Sequence, residues 1–292
     1  MNLMPPHWIK WIDENIRLGN PPGAMIATLV QNKFEPNFCA ATVMARMEKI
    51  QVEKTEAKPA AKVVNSVLLK RDDGYAYEDI GVKLGNSVQL SDRNVKVAIN
   101  MQRPRIAVFE EVLTRDECKQ LIELSRPKLK RSMMVDMATG EPRPDPTRTS
   151  DGTYFKRNEN AFIAMLDKRI EALIQLPIQN SEELQILNYQ VGGEYKPHYD
   201  FFPPNLTGSA AYIARGQRVA TLILYLNDVE EGGETVFPEI GLKIIPKAGN
   251  ALYFAYMNST GQCDPLTLHA GCPVIKGEKW IATRWVRERD YK

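Results

Sequence analysis

Histidine and cysteine are both scarce in this chain of 292 residues. There are three histidines, His7, His198 and His269, and four cysteines, at positions 39, 118, 263 and 272. No two cysteines form a C-x-x-C pair, and four thiols spread this widely do not make a disulfide framework. Cys263 and Cys272 flank His269 closely enough to raise the question of a bridge, but free thiols in a reducing compartment are the expectation. Net charge is also small, +2 at pH 7, with no basic stripe of the kind that nucleic-acid binding requires. Long apolar runs are missing: nothing approaches the roughly 18 residues that cross a bilayer. The first residues show no basic segment followed by an apolar core, so no signal peptide is expected and the location expected is cytoplasmic. What remains is an ordinary globular composition, 43% hydrophobic and 25% charged, in a length that suits one large domain and a smaller one.

The few histidines make their neighbours informative. The stretch Asn188 to Asp200 reads NYQVGGEYKPHYD and ends with His198 and Asp200 two positions apart. In an extended strand, residues i and i+2 project from one face, so this imidazole and carboxylate can reach one metal ion. The β-rich LQILNYQ before it and Pro197 favour a strand end over a helix. A third ligand must come from elsewhere. His7 sits in a Met- and Pro-rich start, whereas His269 follows a long β-patterned stretch in PLTLHAGCPV. Two imidazoles and a carboxylate form the facial triad that holds Fe(II) and leaves positions open for substrate and oxygen. Ten residues after His269 stands Lys279, about one hairpin away, a cation able to hold the far carboxylate of a metal-bound organic acid. An H-x-D pair by itself is commonplace, and a strand histidine is usually just a satisfied polar residue; His269, Lys279 and the glycine-rich surroundings tip the reading towards a metal site.

In order, H-x-D, then His, then Lys resembles the 2-oxoglutarate- and Fe(II)-dependent dioxygenases, and within them the prolyl 4-hydroxylases. The resemblance is carried by RTSDGTYF (148–155), LNYQVGGEYKPHYDFF (187–202), QRVATLILYLNDVEEGGETVFP (217–238) and LHAGCPVIKGEKWIATRWV (268–286). It covers about Arg103 to the C-terminus and leaves the first hundred residues out. It implies iron on His198, Asp200 and His269, with a local charge of about +1 that suits an anionic chelator. It implies 2-oxoglutarate and O2 as cosubstrates, with ascorbate as a candidate addition. Lys279 then grips the distal carboxylate, helped by hydrogen bonds from Tyr189 and Thr221; the parity of an apolar strand alone does not say which way Thr221 points. Tyr195 and Trp285 are the candidates for an aromatic face against a proline ring. Arg148 and Arg218 are candidates to bind the peptide backbone, a structural salt bridge being the plain alternative for each. Asp200 excludes the halogenase variant, which lacks that carboxylate.

Along the chain, residues 1–50 read as a small helical unit, with Trp8, Ile9, Ile12 and Ile16 at helical spacing and a stop at 19–23. Further helices are expected over 23–31 and 37–49. Residues 51–102 read as a linker (QVEKTEAKPAAK) followed by short strands VVNSVLLK, SVQL and VKVAI. The catalytic domain is expected over 103–292. In it, a strand at 104–109 precedes a helix opened by a Thr114–Glu117 capping box, with Cys118, Leu121, Ile122 and Leu124 turned inward. Residues 133–149 are polar and Pro-rich and read as a mobile loop. A second helix is expected near 158–174. From Leu184 the pattern is β: seven short runs bounded by Gly, Pro, Asn or Asp. The fold class expected is α+β, mainly β: a double-stranded β-helix (jelly roll) with packed helices, plus the helical N-terminal unit.

The activity implied is hydroxylation of a prolyl residue in a peptide or protein, with 2-oxoglutarate converted to succinate and CO2. Two other readings stand beside it: the same chemistry on a free amino acid or other small molecule, and a binding module without turnover. A zinc hydrolase could also use such ligands, but no hydrolase motif accompanies them.

Overall fold

The structure, a computed structural model, describes residues 4–17, 20–56, 74–77, 84–135, 142–144, 146–203 and 209–291. Two units divide at 71/72: Met1–Arg71 and Asp72–Lys292.

The first unit contains helices α1 (Pro6–Arg17), α2 (Pro22–Gln31) and α3 (Pro36–Glu56). Each opens on a proline, which has no N–H to lose in a first turn and whose fixed φ suits one. Ile12, Met25, Leu29, Cys39 and Val43 are buried together, with Trp8, Ile9 and Ile16 partly buried around them. Arg46 Nε donates to Asp13 Oδ1 at 2.7 Å and ties α3 to α1. The helix α3 extends six residues into the stretch read as linker; 57–62 and the expected strand at 63–70 lie outside the described residues.

The second unit begins with β1 (Ser87–Gln89), β2 (Asn94–Gln102) and β3 (Arg105–Glu110), then α4 (Arg115–Ser125), β4 (Lys130–Arg131), β5 (Met133–Val135), β6 (Pro142–Pro144) and β7 (Asp151–Phe155). There follow α5 (Ala161–Ile174), β8 (Leu184–Tyr189), β9 (Tyr195–His198), α6 (Ala210–Ala214), β10 (Arg218–Tyr225), β11 (Glu231–Gly232) and β12 (Thr235–Phe237). The last strands are β13 (Leu242–Ile244), β14 (Ala251–Ala255), β15 (His269–Gly271), β16 (Val274–Lys276) and β17 (Lys279–Arg287). One nine-stranded sheet has the order β1-β2-β3-β14-β10-β17-β8-β7-β4, and a four-stranded sheet has the order β13-β12-β15-β9. Their neighbouring strands pair antiparallel, as a jelly roll requires.

Three expectations need correcting. The domain edge placed at 103 cuts a hydrogen-bonded sheet: β2 pairs with β3 from Lys96 to Gln102, so 87–102 belong to the same roll. The stretch read as a mobile loop, 133–149, holds a two-stranded ribbon, β5 against β6, while 136–141 and 145 lie outside the described residues. The capping box on α4 is present, but Leu124 is exposed; Ser125 takes the inward position and donates its hydroxyl to the Leu121 carbonyl at 2.6 Å. Helical geometry explains this, because residue 125 continues the 118, 121 face and 124 does not.

Strand parity positions the site. In β10, Ala220, Leu222 and Leu224 join the core beneath α4 and α5, while Ile223 and Tyr225 face the space between the sheets. In β17, Trp280, Ala282 and Val286 face the helices, and Ile281 faces the interior. From Thr221 onward in β10, and from Lys279 to Trp285 in β17, odd-numbered residues therefore point into the roll. Among the described residues no helix is long and apolar enough to cross a membrane.

Candidate metal centre and its pocket

Strands β9 and β15 bring two of the histidines together: His198 and His269 are partners in register, their ring centroids 4.3 Å apart. The strand ends at His198, and the chain bends so that Asp200 faces both rings. Asp200 Oδ1 lies 3.7 Å from His198 Nε2, and Oδ2 lies 3.6 Å from His269 Nε2. Donor atoms of the three all fall within 4.8 Å of one another, and among the described residues this is the one such cluster of His, Cys, Asp or Glu. His7 is exposed on α1, in the other unit.

Hydrogen bonds set the tautomers. His198 Nδ1 lies 2.8 Å from the Lys196 carbonyl and His269 Nδ1 lies 3.0 Å from that of Thr267. A carbonyl only accepts, so each Nδ1 carries the proton and each Nε2 presents its lone pair to the cluster. Burial, reinforced by His269, pushes His198 down to about 3, so its ring stays neutral. Burial alone would raise the Asp200 carboxyl, but His269, His198 and Arg218 outweigh it and hold Asp200 below the usual carboxylate range. A neutral imidazole and a charged carboxylate are the forms that bind metal.

A small cavity opens beside the trio and is lined by side chains from both sheets. Lys279 enters it from the first position of β17, only 3% exposed. Among the described residues no carboxylate comes within ion-pairing distance of its Nζ, and burial pushes the ammonium down to about 8. Tyr189 faces it from the partner strand, the ammonium 5.7 Å from the ring centroid. Trp285 and Arg148 also line the cavity, and each has a buried donor without a partner among the described residues, the indole N–H and one Nη2. Tyr195 lines it too, but its ring is stacked on His198 at 3.4 Å between centroids, so it braces a ligand as well as forming wall.

Two assignments change. Thr221 does face the interior, but its hydroxyl donates to Asp200 Oδ2 at 2.7 Å and it does not line the cavity beside Lys279. Two threonines do line it, Thr235 on β12 and Thr283 on β17; Thr235 is buried, with Tyr225 donating to its oxygen at 2.9 Å. Sequence reasoning passed over Thr235, which stands two residues past Gly233 at the start of a strand, where no local pattern marks it. Arg218 likewise lies outside the cavity wall. It forks onto Glu182 at 2.7 and 2.8 Å, donates to the Asp200 carbonyl at 3.3 Å, and covers the Trp285 ring at 3.9 Å. Its guanidinium braces the wall from behind, the plain alternative for that residue.

Two imidazoles and one carboxylate suit Fe(II), and an unpaired buried lysine with orphan donors nearby suits an anionic organic ligand next to it. On a jelly roll, that combination defines a 2-oxoglutarate- and Fe(II)-dependent dioxygenase. The 2OG-Fe(II) oxygenase superfamily matches residues 184–287. Probable prolyl 4-hydroxylase 10 of Arabidopsis thaliana is 40% identical over 215 residues, which span 67% of this chain and 73% of that protein. Prolyl 4-hydroxylase subunit alpha-1 of Gallus gallus is 35% identical over 195 residues, 67% of this chain and 38% of that one. The crystal structure of the viral collagen prolyl hydroxylase of Paramecium Bursaria Chlorella virus-1, a 2OG complex, superposes with a TM-score of 0.50 at 30% identity, covering 62% of this chain and 95% of that one. The chain belongs to the prolyl 4-hydroxylase family.

Proposed function

We propose that this protein hydroxylates prolyl residues in a peptide or protein, using Fe(II) held by His198, Asp200 and His269 and 2-oxoglutarate held by Lys279. One observation carries the reading: a buried lysine without a carboxylate partner opens into the same cavity as the His–Asp–His trio. Bound together, Fe(II), 2-oxoglutarate and O2 supply the oxidising chemistry, releasing succinate and CO2 and placing one oxygen atom in a C–H bond of the substrate.

The chain's own groups bind, orient and exclude water. Lys279 neutralises the distal carboxylate of the keto acid. Thr235 accepts from Tyr225, so its own hydroxyl hydrogen is left to donate to that carboxylate, with Tyr189 alongside. Leu187, Ile223 and Ile281 make the cavity apolar around these few polar groups, which strengthens each of them. Trp285 and Arg148 hold unspent donors towards the carbonyls of a peptide, and the Trp285 ring, with Arg218 on it, offers a flat face near a proline ring. A cytoplasmic setting belongs to the proposal, supported by four unpaired cysteines, two of them buried. The near-neutral charge supports a protein or peptide partner over a nucleic acid. Ascorbate is included as an accessory.

The test is a panel of prolyl peptides, free amino acids and other small molecules, with Fe(II) and 2-oxoglutarate, with and without ascorbate. A gain of one oxygen on peptidyl proline with matching succinate release is expected. Labelling of free amino acids but not of prolyl peptides would reject the substrate class, and no succinate with any substrate would return the chain to a binding role.

A further inference from the structure

Asp200 has two oxygens in a buried setting, and they are treated differently. Oδ2 accepts the Thr221 hydroxyl at 2.7 Å. Oδ1, the oxygen beside His198, accepts no hydrogen bond from the described residues. Thr221 has one hydroxyl hydrogen, and it is spent on the carboxylate. The Tyr256 hydroxyl lies 3.3 Å from the Thr221 oxygen, so in that contact the phenol must donate. A chain of two donors, Tyr256 to Thr221 to Asp200, thus runs in one direction, with Tyr256 and Thr221 both 0% exposed. Burial holds the phenol well above its ordinary range, which keeps it a donor. The relay joins strands of the large sheet to the ligand loop: Thr221 sits on β10, and Tyr256 follows β14 directly.

We infer that Thr221 and Tyr256 are positioning residues for the metal centre: they hold Asp200 by one oxygen and so present the other to the metal. A buried carboxylate oxygen left without a donor would be costly, and an unheld carboxylate could rotate or offer both oxygens. Neither residue touches the cavity in which the keto acid is placed. The inference rests on the reading that His198, Asp200 and His269 bind Fe(II), and the two are tested separately.

The experiment is an anaerobic calorimetric titration of the metal-free protein with Fe(II), without 2-oxoglutarate, on wild type, Thr221→Val, Thr221→Ser and Tyr256→Phe. Wild type that takes up no Fe(II) removes the metal reading itself. Given binding by wild type, Thr221→Val is expected to lose about 10- to 100-fold in Fe(II) affinity, as losses of outer-shell partners of metal ligands do. Thr221→Ser, which keeps the hydroxyl, should recover most of it, and Tyr256→Phe should show a smaller loss in the same direction. Equal Fe(II) affinity in Thr221→Val and wild type overturns the inference. If Thr221→Val fails to fold, the decision passes to Tyr256→Phe, which keeps the ring and its packing; unchanged affinity there overturns the relay.

Discussion

Replacing Lys279 by methionine separates what the buried ammonium costs from what it does. Its ordinary value of 10.5 is pushed down to about 8 by burial. At about 1.36 kcal/mol per pH unit, keeping this lysine charged in the folded protein costs roughly 3 kcal/mol. The lysine is a base whose folded value is depressed, so the cost is full below about pH 8, where both folded and unfolded forms are charged. It fades as pH rises from about 8 towards 10.5, where both are neutral. Methionine fills similar volume without the charge. The ligand-free Lys279→Met protein should therefore melt several degrees higher than wild type at pH 7, on a scale of about 2–4 °C per kcal/mol. It should also lack the alkaline rise in stability. Affinity for 2-oxoglutarate should move the opposite way, because removing one partner of a buried charge pair costs about 2–5 kcal/mol, or roughly 30-fold to a few thousandfold. In wild type that affinity should fall above pH 8 as the free lysine loses its proton. Thermal melts of the metal-loaded protein with and without 2-oxoglutarate, across pH 6 to about 10, read all of this together. A methionine variant that still binds 2-oxoglutarate like wild type, or that melts lower than wild type without ligand, would refute the reasoning.

Three further outcomes follow from the same geometry. Asp200→Ala removes the only carboxylate of the trio and should abolish Fe(II) uptake and succinate release while the fold, read by circular dichroism, survives. Glu182→Gln should cost about 3–5 kcal/mol in urea denaturation, because Glu182 receives Arg218 at 2.7 Å and Arg287 at 2.6 Å and the change strands two buried guanidinium groups. Since Arg218 lies on the Trp285 ring, the same variant should raise KM for a peptide more than KM for 2-oxoglutarate. Gly232→Ala should lower both Tm and 2-oxoglutarate affinity. Gly232 has φ +77°, and a Cβ there would stand 2.3 Å from the Pro273 carbonyl, in the turn that leads to Thr235. Wild-type melting in that variant would show that the turn tolerates a side chain.

What could be read from the sequence was what depends on short separations. His198 and Asp200 are two apart on a strand end, and Lys279 follows His269 by one short ribbon, β15 through β16 to the first residue of β17. The capping box on α4 and the inward stripe of α5, Ile163, Leu166 and Ile170, are local in the same sense. What could not be read depends on which strands face each other. Arg218 and Glu182 are 36 residues apart, and only the fold makes them a pair. The two threonines make the point most sharply. Thr221 and Thr235 are both buried, both on strands and both turned into the roll, so parity and hydropathy give them the same description. Each is also paired with a buried tyrosine, Thr221 with Tyr256 and Thr235 with Tyr225. What separates them is the sheet they belong to. Thr221 lies on β10 of the large sheet, in reach of Asp200, whereas Thr235 lies on β12 of the small one, in the lining of the cavity that Lys279 enters. The tyrosine donates to the threonine oxygen in both pairs, so the destination of the threonine's own hydrogen sets the task. Tyr225 donates to the Thr235 oxygen and leaves the threonine's hydrogen for a ligand, while Thr221 has already committed its hydrogen to the metal-binding carboxylate. Long-range sheet pairing assigns one threonine to the keto acid and the other to the metal, and no window of sequence around either residue contains that information.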